Sequence, residues 1–219
     1  MCPISLCIFD LDGVVVDTAK YHFMAWRNLA KEFGYDLSER QNEKLKGVSR
    51  VQSLDLILSW AGVKKNQDEK KILAEQKNKK YLESIKEISP KDILPGVDAF
   101  MMELKKLGVK VALGSASKNA KLILEYLDII NLFDVIVDGT MTTKGKPDPE
   151  VFTKGAMMCE VLPRDTVVFE DAAKGIEAAK TGGMFAVGVG DPNALQQADF
   201  VIRGFEKFSY RILVENLAI

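Results

Sequence analysis

Two aspartates at the end of the first apolar segment, Asp10 and Asp12, are separated by one residue and followed by Gly13. Side chains two positions apart on an extended backbone project to the same side, and glycine then lets the chain turn sharply. A second acidic pair, Glu170 and Asp171, lies far along the chain. All four carboxyl groups are ionised at neutral pH, because their reference pKa is about 4. If the fold brings them together they require a cation, and oxygen ligands without clustered His or Cys favour Mg²⁺.

Short apolar runs along the chain predict the elements that position these carboxylates. The runs cover residues 4–9, 109–113, 135–137, 166–169, 185–189 and 199–202. Short, uniformly apolar runs are typical of strands that are buried on both faces of a parallel sheet. Helical spacing separates the later runs, over residues 97–107, 118–127, 149–159 and 172–181. This alternation predicts an α/β fold with a doubly wound, Rossmann-like parallel sheet.

Polar side chains follow four of these strands at their carboxyl ends, where open α/β sheets bind their ligands. They are Asp10 after the first strand, Ser115 after the second, Lys146 after the third and the pair Glu170-Asp171 after the fourth. Each of these residues taken alone is an ordinary cap or turn residue. Chance placement at all four strand ends is improbable, so the pattern predicts one common site.

Carboxylates, a bound magnesium ion and an ammonium group in one site favour phosphoryl transfer. A carboxylate nucleophile is repelled by an anionic phosphate, so Mg²⁺ and an ammonium group are needed to offset the charge. The pattern Lys-Pro-x-Pro-x-x-Phe favours Lys146 over its neighbour Lys144 for this role. Ser115 and the backbone N–H groups near Ala116 would hold the remaining phosphate oxygens. Asp12 would act as general acid and base on the leaving or attacking hydroxyl.

Residues 18–90 interrupt the strand–helix alternation directly after the first strand and contain several helical patterns. They hold 15 Lys/Arg and 10 Asp/Glu, whereas the rest of the chain holds 15 and 21. We therefore predict a core domain of residues 1–17 and 91–219 with an inserted small all-helical cap domain of residues 18–90. A basic cap over an acidic core would attract an anion. Solvated lysine faces account for most of the positive excess equally well.

Composition excludes several classes of protein. The chain has 219 residues, of which 47% are hydrophobic and 28% charged, with a formal net charge of −1, which excludes disordered and fibrous proteins. The near-neutral charge argues against a nucleic-acid partner, and no apolar run approaches the roughly 18 residues of a membrane span. Three cysteines without CxxC spacing fit a reducing compartment. We expect a monomeric, cytoplasmic enzyme without a signal peptide.

The strand-end residues resemble the four motifs of the haloacid dehalogenase superfamily. These motifs are the segment 9–14 (Phe-Asp-Leu-Asp-Gly-Val), Ser115, Lys146-Pro147 and Glu170-Asp171. The resemblance covers the whole chain, including the helical cap. It implies an aspartyl-phosphate intermediate on Asp10 and acid–base catalysis by Asp12. It also implies Mg²⁺ held by Asp10, the main-chain carbonyl of Asp12 and Asp171, with Glu170 beside them.

The cap sequence is similar to that of one family within this superfamily. Segments 17–23 and 45–50, together with Trp26, look like the β-phosphoglucomutase family, and the match continues through Gln76-Lys77 and residues 115–119. That family interconverts β-D-glucose 1-phosphate and D-glucose 6-phosphate through β-glucose 1,6-bisphosphate. The resemblance thus implies sugar phosphates as substrates and the bisphosphate as priming intermediate.

The same resemblance implies a set of substrate-contacting residues. Arg50 would hold the phosphate that is not being transferred, and His22 with Lys77 would link cap closure to Asp12. The whole set is Thr18, His22, Trp26, Lys46, Gly47, Val48, Ser49, Arg50, Ser53, Lys77, Ala116, Ser117, Lys118 and Asn119. Without the resemblance, Trp26 is equally a core residue and Lys77 a solvated lysine.

Two alternative functions share part of this pattern. A sugar phosphate phosphatase or phosphoglycolate phosphatase of the same superfamily would carry identical core motifs, so only the cap discriminates. A mutase must retain its bisphosphate while it reorients, so it needs a second anion anchor and a cap that excludes water. Arg50 suits that anchor, because its planar guanidinium pairs bidentately with phosphate. A phospho-acceptor receiver domain is excluded by motif order, because its acceptor aspartate follows an internal strand.

Overall fold

The computed structural model of the chain describes residues 4–46 and 48–218. Within them lie six strands: β1 (Leu6–Phe9), β2 (Lys110–Gly114), β3 (Val135–Val137), β4 (Thr166–Glu170), β5 (Phe185–Val189) and β6 (Phe200–Ile202). The α-helices of these residues are α1 (Ala19–Lys31), α2 (Glu39–Glu43), α3 (Arg50–Trp60), α4 (Gln67–Ser84), α5 (Val97–Lys106), α6 (Ala120–Tyr126), α7 (Glu150–Met158), α8 (Ala173–Thr181) and α9 (Tyr210–Leu217).

The six strands form one parallel sheet in the order β3-β2-β1-β4-β5-β6. From β1 the chain moves outward through β2 and β3, then returns across β1 to β4 and continues to β6. The prediction of a doubly wound parallel sheet is confirmed. In register, Phe9 of β1 lies beside Leu113 of β2 and Phe169 of β4. The residues that follow these strands therefore emerge side by side at the carboxyl edge of the sheet, where the strand order reverses.

Both faces of the sheet are covered, as the uniformly apolar strands predict. Side chains alternate along β1, so Cys7 and Phe9 enter one hydrophobic cluster while Leu6 and Ile8 enter the other. Behind Phe9, stacked and edge-on contacts join the rings of Phe9, Phe100, Phe169, Phe205 and Phe208. This packing gives the end of β1 a rigid support.

Helices α1 to α4 all lie between β1 and β2 and enclose a further hydrophobic cluster around Trp26, Leu29 and Leu54. The two chain segments that connect these helices to the sheet run side by side. The Asp17 N–H donates to the carbonyl of Asp92 over 3.1 Å, and the chain continues from there into α5. The division into residues 18–90 and the remainder stays a prediction, and these paired connections lie at its proposed boundary.

Helix α4, at 18 residues the longest of the described helices, is rich in polar residues and buries only Lys77 and Tyr81 completely. Leu73 and Ala74 pack against the cluster around Trp26, and Tyr81 with Leu82 packs in the cluster that contains Phe9. No helix in the described ranges combines the length and the hydrophobicity that crossing a membrane requires.

Candidate active site

A buried ammonium–carboxylate contact forms the floor of the site. Lys146 Nζ donates to Asp10 Oδ1 over 2.7 Å and to Glu170 Oε1, and both Lys146 and Glu170 are almost fully buried. Burial alone would lower the pKa of Lys146, but the two carboxylates raise it above its ordinary value. The side chain of Lys144 is 70% exposed and pairs with Asp148 instead. Of these two lysines, Lys146 is therefore the one beside Asp10.

Three carboxylates are placed so that they could hold a metal ion. Oxygens of Asp10, Glu170 and Asp171 all lie within 4.8 Å of one another. Burial, together with the neighbouring negative charges, raises the pKa of Glu170 to about 7 and that of Asp171 well above its usual range. Gly13 has φ +83°, and a Cβ there would lie 2.3 Å from Asp171 Oδ2. The residues fit Mg²⁺, because the cluster is all oxygen and carries more negative charge than Lys146 neutralises.

Asp12 is turned away from this cluster. Its carboxylate accepts a hydrogen bond from the buried hydroxyl of Thr18, and His22 Nε2 lies 3.7 Å from the same oxygen. The pKa of Asp12 is raised to about 6, mainly by burial and to a smaller extent by the charge of Asp10. The hydrogen bond from Thr18 opposes this rise. A carboxyl group that titrates near neutrality is suited to give and accept protons. Its side chain is not among the three carboxylates of the cluster.

Lys77 lies in a cage of side chains beside His22. Its Nζ is 3.0 Å from His22 Nδ1 and lies 4.6 Å from the ring centre of Trp26 and 4.5 Å from that of Tyr81. The pKa of Lys77 is lowered to about 7, mainly by burial and to a smaller extent by the charge of Arg50. Burial and the nearby cations also lower the pKa of His22 well below its ordinary value. A charged Lys77 donates to Nδ1, which places the ring proton of His22 on Nε2, facing Asp12.

A cavity of about 600 Å³ lies between the helical insertion and the carboxyl edge of the sheet. Most of the residues predicted from the sequence line it: Asp10, Asp12, His22, Trp26, Lys46, Val48, Ser49, Arg50, Ser53, Lys77, Ala116, Ser117, Lys118, Asn119 and Asp171. Four others, Thr18, Ser115, Lys146 and Glu170, are buried and are not among the lining residues. The first three hydrogen-bond to lining residues, and Glu170 accepts a hydrogen bond from Lys146. Gly47 lies outside the described residues.

The end of the cavity under the insertion is positively charged. Arg50 is the first residue of α3, which Ser49 caps and which has no acidic residue in its first turn. A helix N-terminus carries partial positive charge and unpaired N–H groups, and it therefore attracts anions. Among the contacts of the described residues, no carboxylate pairs with Arg50. Lys46 adds a second cation, 3.0 Å from Glu43 and 3.6 Å from Asp171.

The loop after β2 forms part of the cavity wall. Ser115 is buried and its Oγ accepts from the N–H of Ser117 over 3.1 Å, which holds the loop in a tight turn beside Asp10. Lys118 follows and is exposed, and Asn119 is the residue directly before α6. The N–H groups of Ser115, Ser117 and Asn119 are hydrogen-bonded within the fold, and the loop reaches the cavity through residues 116–119.

Several lining residues were missed in the sequence. The polar ones are Asn42, Gln52, Asn78, Thr142 and Thr143, whereas Lys144, which also lines the cavity, was considered as the alternative to Lys146. Gln52 and Asn78 lie within two residues of positions that the family resemblance singled out, so proximity to those positions was the available signal. Asn42, Thr142 and Thr143 belong to segments without any motif. They reach the cavity only because the chain folds back over it.

Comparisons with known proteins agree with this geometry. A family model described as haloacid dehalogenase-like hydrolase matches residues 7–189. The chain is 44% identical over 211 residues to a beta-phosphoglucomutase of Bacillus subtilis, covering 95% of this chain and 93% of the relative. It is 33% identical over 180 residues to a phosphorylated carbohydrates phosphatase of Thermotoga maritima, covering 81% of each. A crystal structure of a beta-phosphoglucomutase from Clostridium difficile has a TM-score of 0.94 and 41% identity, over 98% of this chain and 97% of that one.

The buried position of Lys77 predicts a pH-dependent stability. Unfolding returns the pKa of Lys77 from about 7 toward 10.5, so between these values the unfolded chain binds more protons than the native chain. The free energy of unfolding therefore rises with pH in this window. Lys77→Met should remove this contribution, whereas Lys79→Met, at an exposed site on the same helix, should retain it. Urea unfolding from about pH 7 to about pH 9.5 measures both slopes, and equal slopes would contradict the assignment.

The carboxylate cluster predicts binding of Mg²⁺ to the folded chain. A ligand at about 100 times its Kd stabilises the native state by about 2.7 kcal/mol, so Mg²⁺ should raise the thermal midpoint and EDTA should reverse the rise. Asp171→Asn should lose most of the effect. Glu206→Gln removes the same charge at an exposed position and should keep the Mg²⁺ effect. Differential scanning calorimetry of each variant with and without Mg²⁺ measures the shift of the thermal midpoint. An unchanged shift in Asp171→Asn would place the ion elsewhere.

Proposed function

Because the chain belongs to the haloacid dehalogenase-like hydrolase family, we propose that it is a mutase that interconverts β-D-glucose 1-phosphate and D-glucose 6-phosphate. The 44% identity to the Bacillus subtilis beta-phosphoglucomutase over nearly the whole chain supports this activity. The observation that carries the proposal is a single cavity with two anion-binding ends. Asp10 and Lys146 lie at one end, and Arg50 at the N-terminus of α3 lies in the opposing cap wall.

Asp10 is the proposed nucleophile. Its Oδ1 is held by Lys146, which fixes the direction of the carboxylate and reduces its repulsion of a phosphate group. A second cation, Lys46, reaches from the insertion to within 3.6 Å of Asp171 Oδ2 in the carboxylate cluster. Asp10 and Asp171, with Glu170 beside them, would hold Mg²⁺, which when bound stabilises the negative charge on the transferring phosphoryl group. The position of Asp10 at the end of a rigid strand suits a reaction that depends mainly on positioning.

The reaction proceeds in two transfers through Asp10. Phospho-Asp10 gives its phosphoryl group to the 6-hydroxyl of β-glucose 1-phosphate, and Asp12 accepts the hydroxyl proton as the new oxygen–phosphorus bond forms. The product, β-glucose 1,6-bisphosphate, reverses its orientation in the cavity. Asp10 then takes the phosphoryl group from the 1-position, and Asp12 returns a proton to the leaving sugar oxygen. Glucose 6-phosphate is released and phospho-Asp10 is restored.

The surroundings of Asp12 support its role in these proton transfers. The hydrogen bond from Thr18 orients the carboxylate, and the pKa of Asp12, about 6, lies near the working pH. His22 faces the same oxygen with its Nε2 proton and is itself held by Lys77. Since these helices carry His22 and Lys77 over the sheet, closure of the cap would complete the environment of Asp12.

Two features support a mutase over a phosphatase. Arg50 provides an anchor for the phosphate that is not being transferred, which a phosphatase does not require. The helices above the cavity bury the site and would exclude the water that would otherwise hydrolyse phospho-Asp10. The similarity to the Thermotoga maritima phosphatase makes hydrolysis the competing outcome.

Substitution of the nucleophile tests the chemistry. An amide cannot form the phosphoenzyme, so Asp10→Asn should lower kcat by at least about 10³-fold. Asp17→Asn, an exposed aspartate close by in the chain, should leave kcat unchanged. The assay supplies Mg²⁺ and catalytic bisphosphate and follows glucose 6-phosphate and inorganic phosphate from the α and β anomers of glucose 1-phosphate. Phosphate released as fast as glucose 6-phosphate forms would identify a phosphatase, and near-normal turnover of Asp10→Asn would reject the nucleophile.

Arg50 should matter for the sugar reaction and not for phosphorylation of Asp10 by a small donor. Hydrogen bonds to charged groups contribute about 1.5–3 kcal/mol, so Arg50→Ala should lower kcat/KM for β-glucose 1-phosphate by about 10- to 150-fold. Phosphorylation by acetyl phosphate should be retained. Arg40→Ala, at an exposed position on α2, is the matched control. Equal losses in both reactions would show that Arg50 does not hold the second phosphate.

A further inference from the structure

Besides the approach of His22 to Asp12, two polar side-chain contacts between described residues span the cavity from the helical insertion to the sheet edge. Lys46 reaches Asp171 over 3.6 Å, and Asn119 Nδ2 donates to Asn78 Oδ1 over 2.9 Å. The first contact is shared with Glu43 and involves a carboxylate of the metal cluster, so its strength changes with the charge of the site. The second joins two uncharged amides. It is therefore independent of the charges that change during phosphoryl transfer.

The amide contact joins α4 to the sheet domain at the cavity itself. Asn78 lies on α4, whose other contacts include the packing of Leu73 and Tyr81 in two hydrophobic clusters and ion pairs to α3 and the end of α1. Lys77, the preceding residue, turns toward His22 and the rings of Trp26 and Tyr81. Asn78 turns instead across the cavity to Asn119, the residue directly before α6. Helix α4 is thus attached to α1 on one side and to the sheet domain on the other.

We propose that Asn78 is a positioning residue of the mutase reaction, whose hydrogen bond to Asn119 holds α4, and with it Lys77, over the closed cavity. The inference rests on the proposed function. Both amides line the cavity, so the contact forms at the wall that the sugar phosphate occupies. Opening of the cap breaks the contact, and closure around the substrate restores it. Asn78 therefore favours the closed arrangement without contacting the transferring phosphoryl group.

Kinetics of three variants on α4 test the proposal. Asn78→Leu removes both hydrogen-bonding groups and keeps the branching and the number of heavy atoms of the side chain, and Asn78→Asp keeps an acceptor for Asn119 Nδ2. Gln76→Leu makes the same amide-to-leucine change at an exposed position two residues away. Asn78→Leu should raise KM for β-glucose 1-phosphate by about twofold to tenfold, because the loss of one neutral hydrogen bond changes an equilibrium constant by about that factor. The rate of phosphorylation by acetyl phosphate should stay unchanged. Asn78→Asp should recover most of the affinity.

Two kinetic outcomes would overturn the inference. One is a KM of Asn78→Leu that equals that of the wild type. The other is an equal rise of KM in Asn78→Leu and Gln76→Leu, which would show a general effect of leucine on α4.

A substrate-free measurement separates this inference from the proposed function. Urea unfolding of Asn78→Leu, Asn119→Ala and the double variant forms a double-mutant cycle, and a direct contact should make the combined loss of stability smaller than the sum of the two single losses. Additive losses would overturn the contact even in an active mutase. Coupling in a chain without mutase activity would support the contact and reject the proposed function.

Discussion

The structure depends on one buried interaction, the contact of Lys146 with Asp10 and Glu170. Removing these charges from water is costly, and the cost is recovered only if every partner is held in good geometry. The parallel pairing of β1 with β4 brings Asp10 and Glu170 together. The N–H of Ala172 satisfies the second oxygen of Glu170. On α8, Gly175 makes room for this carboxylate, because a Cβ there would lie 1.9 Å from Oε1.

The helical insertion has two requirements in the proposed reaction, because it must cover the site during phosphoryl transfer and also release the sugar phosphate. Trp26 and Leu54 belong to an apolar cluster within the insertion, which holds its helices together. Ala25, Tyr81 and Ile85 instead join the hydrophobic cluster of the sheet domain that contains Phe9. Polar contacts at the cavity, such as the hydrogen bond of Asn78 with Asn119, add to this apolar packing and are individually weak.

The proposed chemistry divides the chain into two parts. In that proposal Asp10, Lys146 and Asp171 serve the same phosphoryl transfer whether water or a sugar hydroxyl completes the reaction. The helical insertion would then decide which acceptor reaches the phosphorylated aspartate, and Arg50 at the N-terminus of α3 is the proposed anchor for a second phosphate.

The sequence by itself determined the sheet, the residues at its strand ends and the place of the insertion, because apolar runs and their spacing are local properties of the chain. The family resemblance added most of the lining residues. Only the tertiary structure decided which residues of similar appearance serve the site. Lys77 and Lys80 lie in the same lysine-rich helix, yet Lys77 is buried beside His22 whereas Lys80 pairs with a glutamate in solvent. Asn78 likewise has no signal of its own, because its partner lies 41 residues away. Burial and pairing depend on which element packs against a position, and local sequence does not encode that.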